Sequence, residues 1–291
     1  MRKYIRTIGA ISLMTGIMTA CSESDSSVEE ETNDEVADDI ETESNEEQSD
    51  EEEIDEENEE AEEEVENDQE LEDETSIEPK YVLNENNWSV QPKEDAPENV
   101  VLMTIDDAPD EHGHKMAEVL HEHDVPAIFF VNGHFLNDEE GIEQLEEIID
   151  YGFEIGNHTM THQNLQNITE EEQRQEIIGL SDKLEDLTGE RPDFFRAPHG
   201  ANTDISAQIM NEEQMLAMNW TYGYDWVAEF TEAAPLAAQM VETELLQDGA
   251  NLLMHDREWS LEALPEIIEG LRDKGYKFVD PDDIERAEEE A

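Results

Sequence analysis

Between residues 22 and 79 the chain carries 32 carboxylates in 58 positions and no lysine or arginine. A segment of this kind has no compact fold open to it. Its scattered apolar residues, among them Val28, Val36, Ile40, Ile54, Val65 and Leu71, keep no sustained period, so burial cannot offset the entropy of ordering it. Self-repulsion predicts a disordered, stretched linker that reaches roughly 190 Å at full extension. What remains for folding is about 210 residues, enough for one domain. The formal net charge is -67, and residues 80–291 still hold 50 acids against 12 bases. Phosphate would be repelled, so no nucleic-acid partner is expected. An acidic surface poor in lysine also suits a saline or alkaline exterior, where salt screens its self-repulsion.

Ahead of the linker, Arg2, Lys3 and Arg6 form a positive n-region, and residues 8–20 form a short, weakly apolar run. This is the pattern of a signal peptide. The run falls short of the roughly 18–20 apolar residues that span a bilayer. Ile17-Met18-Thr19-Ala20-Cys21 resembles a bacterial lipobox, in which Cys21 is lipidated and becomes the mature N-terminus; Met18 stands where leucine is more usual. A plain secretory signal followed by an unrelated cysteine is the alternative. A single cysteine excludes an intrachain disulfide framework and a zinc site of several thiolates. The expected organisation is a signal peptide (1–20), a lipidated cysteine with acidic linker (21–79), a connection to the domain (80–96), the domain (97–285) and an acidic tail (286–291). The expected location is extracytoplasmic, at the cell surface and lipid-anchored to the membrane, as a monomer.

From residue 97 onward apolar runs alternate with amphipathic stretches. Residues 99–105, 126–131, 153–155, 193–195, 215–219, 251–255 and 277–279 read as buried strands. Helices are expected at about 113–123, 138–150, 169–188, 203–212, 231–246 and 260–274, with a terminal turn from Pro281. Thr169 followed by Glu172 is a capping-box start, Ser260 a candidate N-cap, and Gly275 a C-terminal stop. This alternation predicts a parallel α/β sheet, most simply a barrel of about seven strands.

In such a fold the chemistry belongs at the C-terminal ends of the strands, and polar residues gather there. The first strand ends in Thr104-Ile105-Asp106-Asp107-Ala108-Pro109, and the third in Gly156-Asn157-His158-Thr159-Met160-Thr161-His162. The fourth ends in Phe195-Arg196-Ala197-Pro198-His199-Gly200, Tyr224-Asp225-Trp226 follows the fifth, and Leu253-Met254-His255-Asp256 closes the sixth. Two histidines four apart can face one ligand, and one carboxylate completes a three-ligand site with positions open for water. The neighbouring carboxylate is then free as a general base. Taken singly these features are weak: paired aspartates are common in so acidic a chain, His255 alone could be a core histidine, and Arg196 an ordinary ion-pair partner. Their shared placement and order give them weight.

Over roughly residues 97–285 the chain resembles the polysaccharide deacetylases of the NodB-homology type, carbohydrate esterase family four. That family's five motifs match, in order, Thr104–Pro109, His158–His162, Arg196–Gly200, Asp225-Trp226 and Leu253–His255. The resemblance implies a distorted seven-stranded α/β barrel. It also implies a divalent metal held by Asp107, His158 and His162, zinc first, with cobalt, nickel or manganese as alternatives. Asp106 would then be the general base, oriented by Arg196, and His255 the general acid, tuned by Asp225. Trp226 and Leu253 would line the pocket for the acetyl methyl, and the backbone N–H of His199 would face the oxyanion. Two positions depart from the family pattern: Ala108 replaces glycine, and His199 replaces an aromatic residue.

The implied reaction is hydrolysis of the N-acetyl group of an N-acetylglucosamine-type sugar. Peptidoglycan leads as the polymer, with N-acetylglucosamine or N-acetylmuramic acid as its sugar. Chitin oligomers, an N-acetylglucosamine exopolysaccharide and O-acetylated xylan are alternatives. A metal-free amidohydrolase is disfavoured by the intact Asp107, His158, His162 set. A non-catalytic surface lipoprotein binding glycan or calcium is the reading from another class. His121 and His123, two apart on a helix, cannot face one ligand, and His112 and His114 are expected as solvated loop residues; His134, after the second strand, is within reach of the rim and stays unassigned. Trp88 and Trp259 could stack on sugar rings, with core or rim packing as the default.

Overall fold

In a computed structural model, the structure describes residues 78–287 of the 291. The expected signal peptide, Cys21, the expected linker up to residue 77 and the last four residues lie outside the described residues. The chain order is β1 (Tyr81–Leu83), β2 (Val90–Pro92), β3 (Val100–Ala108), α1 (Gly113–Glu122), β4 (Ala127–Val131), α2 (Glu139–Asp150), β5 (Glu154–Asn157) and α3 (Glu170–Thr188). It continues with β6 (Phe194–Phe195), α4 (Asp204–Glu213), β7 (Leu216–Ala217), α5 (Ala233–Glu242), β8 (Ala250–His255), α6 (Glu258–Asp273) and β9 (Lys277–Phe278). A turn of 3-10 helix at Pro281–Asp283 closes the fold. Strands and helices fall where the alternation predicts them.

The main sheet is parallel, with order β7-β6-β5-β4-β3-β8 and β9 paired to the start of β3. It curls into a distorted half-barrel. Between β7 and β8 the ring is joined by a single parallel bridge, Tyr222 to Leu252. Alternation along β3 sorts its side chains. Val101, Met103 and Ile105 pack outward in the large core with residues of α1, α5 and α6. Val100 and Leu102 point the other way, into a cluster with Ile128, Phe130 and Phe194. Thr104 and Asp106 share this second parity, so the interior changes from apolar to polar toward the C-terminal end of the strands.

Local signals end the helices as expected. Thr169 and Glu172 form a reciprocal capping box before α3, and Gly189 stops that helix at φ +85°. Ser260 is a correction: α6 begins at Glu258, with Arg257 as its N-cap residue, and Ser260 Oγ instead donates to Asp225 Oδ2 at 2.7 Å.

Residues 80–96 are a second correction, because they are no mere connection. β1 and β2 form an antiparallel hairpin whose Tyr81, Leu83 and Val90 are buried beneath the barrel with Ile284. Lys80 pairs with Asp283 at 2.7 Å, and Lys93 with Glu285 at 2.5 Å. The expected boundary at 285 also moves by at least one residue. Arg286 lies 4.1 Å over the ring of Phe194 and pairs with Asp193 at 2.8 Å.

Candidate active site

A cavity of about 470 Å³ opens at the C-terminal end of the sheet, and every expected site residue except Arg196 lines it. Arg196 lies just beneath, fully buried. Strand ends supply most of these groups: Asp106 and Asp107 from β3, His158 and His162 after β5, Arg196 and His199 after β6, and Leu253 and His255 from β8.

Neighbours on a strand point to opposite faces, yet Asp106 and Asp107 both line the cavity. The β3–β4 register shifts between Asp106 and Ala108, and Asp107 itself adopts φ +62°. The left-handed residue is therefore Asp107. Ala108, where the family has glycine, is buried and absent from the positive-φ positions, so its Cβ is accommodated. His199, the other departure, takes φ +59°. Its ring stands exposed, edge-on to His162 with centroids 4.9 Å apart.

Asp107, His158 and His162 bring one ligand atom each within 4.8 Å of one another. His158 Nδ1 is 2.7 Å from the carbonyl of Arg196; donation there leaves Nε2 with its lone pair toward the cluster. Burial pushes the His158 pKa down to about 3, against the pull of Asp107, so the ring is neutral at pH 7. Burial also lowers His162. One carboxylate and two neutral imidazoles are a donor set that fits a divalent cation and leaves positions open.

Beside this cluster, Asp106 is almost wholly buried and accepts from Arg196 Nη1 at 2.6 Å. Desolvation raises its pKa, opposed chiefly by the Arg196 charge. Arg196 also donates to Thr104 Oγ1 and the Asn219 carbonyl, and its guanidinium lies 4.2 Å over Phe130. Across the cavity, Asp225 accepts from the His255 backbone N–H at 2.6 Å and lies 2.8 Å from His255 Nδ1. Burial works to lower the His255 pKa, but the bond and charge of Asp225 outweigh it and the pKa is raised. Trp226, half exposed, meets His255 edge-on at 5.3 Å and Trp220 at 6.2 Å.

Several supporting residues escape a reading of the sequence. Buried Asp256 accepts from the backbone N–H groups of Asp110, Glu111, His112 and Gly113, at 2.6–3.3 Å. It thereby ties the loop after β3 to the end of β8. Arg257 donates to Asp107 Oδ2 at 3.1 Å. Glu176 of α3 accepts from Thr161 N and Oγ1, at 2.7 and 2.5 Å, and holds the loop between the two histidines. Trp259 and Trp220 also line the cavity, and Trp259 Nε1 donates to the Asp225 carbonyl at 2.8 Å. Position just after His255 is the one sequence signal for Asp256 and Arg257. His112, His114, His121, His123 and His134 do not line the cavity. Trp88 packs against the cluster that includes the hairpin.

Comparison with known proteins agrees with this geometry. Residues 93–218 match the polysaccharide deacetylase family. A peptidoglycan-N-acetylglucosamine deacetylase of Bacillus cereus is 31% identical over 189 residues, which are 62% of this chain and 66% of that protein. The crystal structure of a peptidoglycan N-acetylglucosamine deacetylase in complex with a naphthalenyl N-oxidanyl-benzamide superposes with a TM-score of 0.57. It is 30% identical, over 64% of this chain and 88% of that one. A family pseudoenzyme from Bacillus anthracis superposes equally well, with a TM-score of 0.57 at 28% identity, over 63% of this chain and 64% of that one. The chain thus spans just under two thirds of the B. cereus and B. anthracis proteins. A curled parallel sheet with paired carboxylates and histidines at its C-terminal end is the architecture this chain shares with the deacetylase structures it superposes on. The chain belongs to the polysaccharide deacetylase family, of the NodB type.

Proposed function

We propose that this protein is a metal-dependent N-deacetylase of a cell-wall polysaccharide, acting on N-acetylglucosamine-type sugars, with peptidoglycan as the leading substrate. One observation carries the reading: the Asp107–His158–His162 cluster, the Asp106–Arg196 pair and the His255–Asp225 pair converge on one cavity.

Asp107, His158 and His162 would hold the ion, zinc first, which when bound supplies Lewis acidity toward the amide carbonyl and water. Asp106 takes the proton of the attacking water. Its Oδ1 is pinned by Arg196, so Oδ2 is the oxygen left for that proton. The backbone N–H of His199, at the cavity wall, would stabilise the developing oxyanion. His255 protonates the departing amine nitrogen, without which amide C–N cleavage stalls. Asp225 keeps the His255 proton on Nδ1, so Nε2 is the nitrogen that delivers to the leaving group. Trp226 and Leu253 enclose the acetyl methyl. Acetate and a free amino sugar are the products.

Acetate release from peptidoglycan, chitooligosaccharides and acetyl-xylan, measured beside bound metal per chain, tests the assignment. Turnover on peptidoglycan above the other two is expected. Bound glycan without acetate release from any of them would favour a non-catalytic glycan-binding lipoprotein, a reading that the pseudoenzyme relative makes concrete. The same proposal includes a lipid anchor at Cys21, which lies outside the described residues. Cys21→Ala should move the protein from the membrane fraction to the medium, and unchanged retention would refute the anchor.

A further inference from the structure

The two oxygens of Asp107 face different neighbours. Oδ1 lies 3.4 Å from His162 Nε2 and 3.8 Å from His158 Nε2. Oδ2 accepts from Arg257 Nη2 at 3.1 Å. The same guanidinium donates through Nη1 to the Asp256 carbonyl at 2.7 Å and pairs with Asp110 at 3.5 Å. Asp256 is itself buried and fastened to four backbone N–H groups, so Arg257 reaches Asp107 from a rigid base.

This contact is more than a surface ion pair, which would contribute little. The Asp107 side chain is only 15% exposed. It also needs outside support, because Asp107 sits at the register shift with φ +62° and no longer has the regular strand to hold it. We propose that Arg257 is a positioning residue for the metal centre. By occupying Oδ2 it leaves Asp107 a single oxygen to offer a cation, fixes the direction of that oxygen, and keeps further coordination positions open for water and substrate. The inference rests on the reading that Asp107, His158 and His162 hold a divalent ion. A role in gripping an anionic substituent of the sugar fits less well, because the guanidinium already faces the carboxylates of Asp107 and Asp110.

The test is titration of the metal-free protein with Zn(II), followed by calorimetry, and with Co(II), followed by its visible spectrum. The proteins compared are the wild type, Arg257→Ala, Arg257→Lys and Arg257→Gln, each checked for folding by circular dichroism. Arg257→Ala should weaken Zn(II) binding by roughly 10–100-fold, the usual effect of losing a partner that orients a ligand. It should also alter the Co(II) spectrum, because Asp107 can then present both oxygens. Arg257→Lys should recover part of the affinity, since it keeps the charge but not the planar fork. Arg257→Gln carries the same expectation as alanine should the alanine variant fail to fold. Wild-type Zn(II) affinity and Co(II) spectrum in a folded Arg257→Ala or Arg257→Gln protein would overturn the inference alone. So would a variant whose only defect is a raised KM for carboxylate-bearing sugars, which would make Arg257 an anion contact. A wild type that binds neither metal would overturn the metal-site reading itself.

Discussion

Asp225 grips His255 at two points, through the backbone N–H at 2.6 Å and through Nδ1 at 2.8 Å. The first contact sets where the residue sits at the end of β8, and the second sets which ring nitrogen keeps its proton. Ser260 Oγ and Trp259 Nε1 hold Asp225 from the far side. The imidazole therefore has a fixed tautomer and a raised pKa, overcoming a burial that works to lower it.

Asp225→Asn should consequently move the alkaline limb of kcat/KM to lower pH. A raised pKa keeps His255 protonated to higher pH, so its acid function is lost later as pH rises; removing the Asp225 charge brings that loss earlier. Turnover at neutral pH should fall by about 10²-fold, the scale of a general acid's contribution. An unmoved alkaline limb would take Asp225 out of this role.

The two adjacent carboxylates should separate by phenotype. Asp107→Asn is expected to lose metal and activity together, because a neutral amide is a poorer ligand. Asp106→Asn should keep near-stoichiometric metal while turnover falls at least about 10²-fold. Bound metal per chain, measured beside kcat on an N-acetyl oligosaccharide, distinguishes them. The reverse pattern would mean that ligand and base are exchanged.

Removing the Asp256 carboxylate should cost stability as well as activity. Asp256→Ala leaves four backbone donors, from Asp110 to Gly113, without their acceptor. Only the Gly113 donor is fully buried, the others being within reach of water, so the loss is on the order of 1–3 kcal/mol, the cost of one stranded buried donor. Urea unfolding of the variant measures it, and a midpoint within error of the wild type would show that the loop is held by other means.

The acidic surface makes a separate prediction. With 50 acids against 12 bases in residues 80–291, like charges repel across the folded domain, and screening shortens to roughly 3 Å at 1 M salt. The thermal midpoint should rise between low and molar NaCl. A flat or falling midpoint would leave the surface merely acidic.

Much of this molecule can be read without coordinates. The run Val100-Val101-Leu102-Met103 has the continuous apolar character of a parallel strand covered on both faces, and the Thr169–Glu172 capping box marks the start of α3. His158 and His162 are legible because four-residue spacing and position after a strand are local facts. The β1–β2 hairpin is not. Three-residue strands carry no usable period, and what makes Tyr81, Leu83 and Val90 a structural element is burial against Ile284, some 200 residues later.

Sequence by itself determined the parts: a domain set off by composition from an acidic segment, the alternation of strand and helix, and the polar residues at the strand ends. Only the tertiary structure decided how those parts act on each other. Local order puts Asp106 and Asp107 side by side, but the register shift and the positive φ at Asp107 turn both into one cavity. An arginine beside an aspartate is unremarkable in a chain this acidic, yet the packing of β8 against β3 brings Arg257 to the oxygen of Asp107 that faces away from the histidines. Periodicity and spacing are properties of neighbours along the chain. Hydrogen-bond partners 150 residues apart are chosen by strand register, and that is a property of the fold.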